Sequence, residues 1–249
     1  MKKFIVLLAF IFLTTSVKFF SVSAKENFAI QSQIIIKDIE ADLTGDGKVE
    51  KVILTGSQKE SSPLYENIKI TVSDNKTGVT LFSITPTTNI GYEPTIMLGD
   101  FTLDGLPELF YGALDSTCEF GYYYLYAFSD SVITLYDYES DFCSCKAVYR
   151  DWYNVEVSTN ENTYNIDISN KDYIGYVYSG GKLKKEMFAD ISKGCKVSPY
   201  YDVEKQIYTL LVARKITGID RQDLIGYLVD NYSFNENQTM IKKSYFIFV

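Results

Sequence analysis

The sequence predicts an all-β fold built from antiparallel four-stranded units, and three observations carry that prediction. The chain is rich in strand formers, with 21 Tyr and 16 Phe among 249 residues and only 5 Pro to interrupt them. Turn residues break the apolar runs at short intervals, as in Asp74-Asn75-Lys76-Thr77-Gly78 and Ser179-Gly180-Gly181. A nonapeptide, D-x-T-x-D-G-x-x-E, occupies residues 42–50 and returns 58 residues later at 100–108, each time leading into an apolar run. A recurrence at this period points to a repeated structural unit.

Taken in order, the strand signals begin at 32–37, 50–55, 67–73 and 79–84, with the first nonapeptide between the first two. A second set follows at 95–98, 107–112, 122–128 and 132–136, and a third at 153–158, 163–168, 173–178 and 182–185. Residues 206–215 suit a helix by length and a strand by their β-branched and aromatic content. Residues 224–229 and 240–248 read as a closing antiparallel pair. Without a linker or composition break, 25–249 is expected to be a single domain in which the 58-residue period builds a small or incomplete β-propeller.

Ahead of it, Lys2 and Lys3, the apolar run 4–13 and the small residues Ser21-Val22-Ser23-Ala24 have the form of a signal peptide over 1–24, cleaved after Ala24. Lys18 interrupts this segment and leaves an uncleaved anchor as the alternative. No later run is long and apolar enough to span a bilayer as a helix. The leader carries Lys2, Lys3 and Lys18 and no acid, so its removal takes the net charge from -8 to -11. Such acidity excludes a nucleic-acid partner that must be held through its phosphates.

The chain has no histidine. Ser-His-Asp and Cys-His nucleophiles, His-ligated zinc and imidazole switching are therefore excluded. Four cysteines, Cys118, Cys143, Cys145 and Cys195, in an exported chain predict two disulfides. Three pairings are open. Cys143 and Cys145 stand too close for an unstrained bond to each other, and reduced thiols or a soft-metal site are the competing reading.

The nonapeptides carry the clearest chemistry. Asp42, Thr44 and Asp46 stand at alternate positions, Gly47 allows the chain to turn, the Lys48 carbonyl faces the same way and Glu50 closes the set. Asp100, Thr102, Asp104, the Leu106 carbonyl and Glu108 repeat the arrangement. Five or six oxygens from one short loop suit a hard cation, calcium before magnesium, so two calcium sites are expected. An EF-hand would need an acid at position twelve, which is Ile53 in one copy and Tyr111 in the other. The ordinary alternative is a pair of Asp-Gly hairpin turns. Residues 200–208 resemble a third copy without the glycine or the closing acid, and no metal is assigned there.

With these residues in view, the chain resembles the FG-GAP/VCBS repeat family, the blade unit of integrin α-chain propellers. The likeness rests on the two nonapeptides, on Glu50-Lys51-Val52-Ile53-Leu54-Thr55-Gly56 and Glu108-Leu109-Phe110-Tyr111-Gly112 after them, and on residues 91–102, which are similar to an exported VCBS-repeat group of spore-forming Gram-positive bacteria. The resemblance implies propeller blades and calcium in the named loops. Thr44 and Thr102 replace the family's middle acid, which implies modest affinity. The expected function is a secreted or cell-surface, calcium-binding, non-enzymatic module for an extracellular protein or polysaccharide. The alternatives are an extracellular carboxylate-dependent hydrolase and a structural component of an envelope or spore surface. Tyr122, Tyr123, Tyr124 and Tyr126 allow a sugar platform, although sheet tyrosines shared between core and solvent are the preferred reading, and Trp152 is expected in the core or at its rim. Asp115, Glu119 and Asp141 are the carboxylates a hydrolase would draw on.

Overall fold

A computed structural model describes residues 32–117, 119–141, 144–194, 196–235 and 240–248. The proposed leader and Cys118, Cys143 and Cys195 lie outside the described residues. Cys145 is a disulfide cysteine, and the pairing expected from the cysteine count is therefore not described.

The first eight strands form one antiparallel sheet: β1 (Ile34–Ala41), β2 (Glu50–Gln58), β3 (Leu64–Asp74), β4 (Thr80–Ile84), β5 (Gly91–Gly99), β6 (Glu108–Leu114), β7 (Gly121–Phe128) and β8 (Val132–Asp137). The sequence repeat is a structural repeat. Ala41 pairs with Glu50 where β1 turns into β2, and Gly99 pairs with Glu108 where β5 turns into β6. Each nonapeptide thus connects the first two strands of a four-stranded meander.

The expected separation into propeller blades does not hold. A blade is a sheet of its own, whereas one edge of β3 here serves two neighbours. Residues Ile70 to Ser73 pair with β4, while Leu64 and Tyr65 pair with Tyr92 and Gly91 of β5. The reason lies in strand length. β3 has 11 residues and β4 has 5, so half of the β3 edge would be left with open backbone groups, and β5 takes it. The joined sheet curls until the Lys37 ammonium on β1 donates to the Ile96 carbonyl on β5 at 2.7 Å. Phe82 of β4 meets Phe128 of β8, with ring centroids 5.5 Å apart.

The rest of the chain forms smaller antiparallel sheets. β9 (Lys146–Arg150), β10 (Asn154–Ser158) and β11 (Thr163–Asp167) make a three-stranded sheet. A single helical turn, α1 (Ile174–Val177), leads into the two-residue pair β12 (Tyr178–Ser179) and β13 (Lys182–Leu183). The strand expected at 173–178 is corrected accordingly, and the one expected at 182–185 is shortened to Lys182–Leu183. Tyr173 and Val177, four apart, bury together while Tyr176 is 84% exposed, which is helical spacing and not alternation. Gly180 and Gly181 then take positive φ and end the segment in a tight turn.

The last sheet holds β14 (Asp190–Ile191), β15 (Lys196–Asp202), β16 (Ile207–Thr217), β17 (Leu224–Phe234) and β18 (Met240–Phe248). The ambiguous segment 206–215 is therefore strand. β15 to β18 are a third four-stranded meander, and the proposed third copy of the loop forms its first turn.

Three apolar clusters hold these layers together. Val52, Leu54, Ile70, Tyr111 and Tyr124 pack inside the curl of the first sheet. Phe110, Tyr123 and Leu125 point from the opposite face and pack with Leu210, Val212, Tyr232 and Phe234 of the last sheet. Tyr149, Val155 and Val157 of the three-stranded sheet pack with Ile216, Leu228 and Phe246. β6 and β7 are consequently buried on both faces, which explains their continuous apolar runs.

Candidate functional site

Both nonapeptides sit at the same end of the first sheet and touch. A Cβ on Gly45 would lie 3.1 Å from the Leu106 side chain. Gly45 and Gly47 of the first loop and Gly105 of the second have positive φ, as does Leu103 at the position matching Gly45. The Asp residues hold this path: Asp42 Oδ1 accepts from the Gly45 N–H at 2.7 Å and Oδ2 from the Gly47 N–H at 2.9 Å. Asp100 does the same for Leu103 and Gly105, at 2.7 and 3.1 Å. Asp46 and Asp104 each accept from the N–H two residues on, at 2.8 Å.

The two loops then diverge. In the first, one carboxylate oxygen each of Asp42, Asp46 and Glu50 lies within 4.8 Å of the others. Glu50 is buried and accepts the Leu43 N–H at 2.7 Å. Each carboxylate offers about four acceptor positions, so one or two backbone bonds leave capacity for a cation. The donor set is hard oxygen throughout and fits calcium better than a soft metal. The Lys48 ammonium contacts Asp46 Oδ2 at 2.6 Å, and this hydrogen bond holds the Asp46 carboxyl below its ordinary range.

In the second loop, both Glu108 oxygens are engaged by the protein. Oε2 accepts the Phe101 N–H at 2.6 Å, and Oε1 accepts the hydroxyl of the fully buried Thr102 at 2.9 Å. Burial pushes Glu108 up to about 7, against the pull of those two donors. Leu106 stands where the first loop has Lys48. The third copy keeps only the turn: Asp202 accepts from the Glu204 and Lys205 N–H groups at 3.1 and 3.2 Å.

The other expected sites disperse. Tyr123, Tyr124 and Tyr126 are buried, so they form core and not a platform. Trp152 is 64% exposed, with its ring beside Gly181 and below the Lys182 ammonium at 5.7 Å. Asp115 caps its own turn through Thr117, and Glu119 pairs with Lys215 at 2.9 Å.

Asp141 belongs to a buried polar cluster that sequence reasoning misses. Arg214 donates to Asp230 Oδ2 at 2.9 Å and to Asp141 Oδ2 at 2.6 Å. Tyr232 and Tyr136 donate to Asp141 at 2.6 and 2.8 Å, Ser244 to Asp230 at 2.6 Å, and Lys242 contacts Asp230 at 2.8 Å. Burial works against the Arg214 charge, yet Asp141 and Asp230 raise its pKa above the ordinary value. Burial, and then Asp141, push the Tyr136 and Tyr232 hydroxyls up. An Arg and an Asp alternating with apolar residues on β16 and β17 are the sole trace of this cluster in the sequence.

Comparison with known proteins gives relatives other than those the nonapeptides suggest. Residues 143–247 match a family model described as the YybI C-terminal domain. The matched stretch takes in β9 to β17 and nearly all of β18, and it excludes both loops. The chain is also 28% identical over 224 residues to the uncharacterized protein YybI of Bacillus subtilis (strain 168), covering 86% of this chain and 85% of that protein. The FG-GAP/VCBS resemblance is corrected by these matches. Short Asp-Gly loops between strands recur in unrelated sheets because the turn itself requires them, whereas the YybI similarity extends over most of the chain. No solved structure matches. Among the described residues, no helix is long and apolar enough to cross a membrane.

Proposed function

We propose that the protein is an exported, non-enzymatic binding module whose first loop, residues 42–50, takes up calcium and thereby stiffens the β1–β2 end of the sheet. The observation that supports this is the convergence of Asp42, Asp46 and Glu50 oxygens within 4.8 Å. Carboxylates so close repel one another unless a cation lies between them. The second loop is read as a structural turn, because Glu108 is satisfied by Phe101 and Thr102. The partner is an extracellular protein or polysaccharide.

Calorimetric titration with calcium tests this directly, with one site and a dissociation constant of about 0.1–1 mM expected, as in extracellular modules. At about 1 mM calcium and a constant of about 0.1 mM, the site adds about 1.4 kcal/mol. That corresponds to a melting temperature about 3–6 °C higher than in chelator. Asp46→Ala is expected to abolish the difference and Asp104→Ala to preserve it. Identical melting of the wild type in chelator and in millimolar calcium would show that the loop is an ordinary turn.

A further inference from the structure

A second feature lies on the opposite side of the last sheet from the Arg214 cluster. Side chains alternate along a strand, so the face of β16–β17–β18 that carries Asn231 points away from Arg214, Asp230 and Tyr232. Asn231 stands between Leu211 and Lys243 across the ladder. A cleft of about 520 Å³ opens there. That is within the range of about 300–1,000 Å³ typical of small-ligand sites.

The cleft has a consistent chemistry. Thr209, Asn231 and Ser233 give it a floor of hydroxyl and amide groups. Lys205 enters from the β15–β16 turn, Lys243 and Tyr245 from β18, and Leu103 from the second nonapeptide. Tyr245 is 52% exposed, so much of its side chain remains open to contact. Among the described lining residues there is no Asp or Glu, although the chain as a whole carries a net charge of -8. Lys205 is paired with Asp202 at 2.9 Å, so Lys243 supplies the positive charge that an anion would meet.

Asn231 points to a ligand. Its side-chain carbonyl oxygen is buried without a hydrogen-bond partner while the residue itself lines the cleft, an unfavourable arrangement that a ligand donor would relieve once the amide turns towards the cleft. We propose that this cleft binds an anionic saccharide. Sugar hydroxyls donate to Asn231 and exchange hydrogen bonds with Thr209 and Ser233, a ring face packs on Tyr245, and the acid group meets the Lys243 ammonium group. A sugar fits better than a bare anion because Ile207, Phe234 and the Tyr245 ring give the cleft apolar surface for a ring face beside its hydroxyl and amide groups. The proposal rests on the reading of the chain as a binding module, but not on the calcium loop.

Calorimetric titration of the full chain with trigalacturonate, glucose 6-phosphate and neutral galactobiose tests it. One or both acidic sugars are expected to bind at least about tenfold more tightly than the neutral one, the worth of one charge-assisted hydrogen bond. Which acidic sugar binds decides between a carboxylate and a phosphate as the recognised group. Lys243→Gln is expected to remove most of that preference, and Tyr245→Ala to weaken all three sugars. Asn231→Ala is expected to weaken binding while leaving the melting temperature unchanged or higher. Equal binding of neutral and acidic sugars, no binding of any of them, or full affinity in Lys243→Gln would overturn the proposal. A fall in melting temperature for Asn231→Ala would show that the protein itself holds that group, and would overturn it too. Calcium titration alongside separates the two readings: sugar binding without calcium binding removes only the metal, and calcium binding without sugar binding removes only the cleft. Cleaved sugar recovered after titration would overturn the non-enzymatic reading and leave the cleft standing.

Discussion

At the residue scale, Lys48 is the side chain that a cation entering the first loop must displace. Its ammonium contacts Asp46 Oδ2 at 2.6 Å, the carboxylate that calcium would need. The pair is solvent-exposed, so the ammonium swings aside at modest cost. Lys48→Gln is therefore expected to tighten calcium binding a few-fold while keeping the carbonyl of residue 48, and titration of the two proteins at equal ionic strength checks this. In the second loop, Glu108 gives a pH dependence of definite sign. Its ordinary value of 4.5 is raised to about 7 by burial. Between those values the folded chain holds a proton that the unfolded chain has lost. The contribution is thus complete below 4.5 and disappears as pH rises towards about 7, for a total of about 3 kcal/mol. Urea midpoints in chelator across this window are expected to fall with pH in the wild type, with that component of the slope absent in Glu108→Gln. Asp42, Asp46 and Glu50 were legible as a set because the candidate ligands lie within nine residues and local turn geometry gathers them. The different fate of Glu108 was not legible, since it depends on the burial of Thr102 and Phe101 under the last sheet.

At the scale of elements, the repeat and most strands follow from composition and turn chemistry, and the nonapeptides fall where the sequence places them, between first and second strands. Sheet membership does not follow, because hydrogen bonding between β3 and β5 depends on how much edge β4 leaves open. Gly91 makes that junction possible. A Cβ there would lie 2.8 Å from the Ala113 Cβ and 2.9 Å from the Leu114 carbonyl. The backbone cannot yield at low cost, so Gly91→Ala is expected to destabilise by about 1–3 kcal/mol. Hydrogen exchange should show the loss concentrated at Leu64, Tyr65 and Tyr92, whereas a uniform loss would place the strain elsewhere. The helical turn at Ile174–Val177 was missed because four residues are too few for a 3.6-residue period to stand out from alternation.

At the scale of the whole molecule, Arg214 with Asp141 and Asp230 couples the layers. The cluster lies on the same face of the last sheet as the apolar clusters that meet the first sheet and the three-stranded sheet. Arg214→Met leaves buried Asp141 without a cation and Asp230 with Lys242 alone, and is expected to cost about 3–5 kcal/mol. Adding Asp141→Asn and Asp230→Asn should recover much of this loss, and a double-mutant cycle in urea measures the coupling. A triple variant no more stable than Arg214→Met alone would show that the charges do not act as a unit. The sequence by itself determined the β class, the 58-residue repeat, the absence of imidazole chemistry and the oxygen-rich loop at 42–50. Each of these depends on composition or on residues close in the chain. Only the tertiary structure decided that the repeats share one curled sheet instead of forming blades, that the clustered tyrosines are core, and that Asp141, Arg214, Asp230 and Lys242 meet. The cleft around Asn231 is of the same kind. These outcomes depend on pairings across tens of residues, chosen by strand length, curvature and burial, which no local pattern encodes.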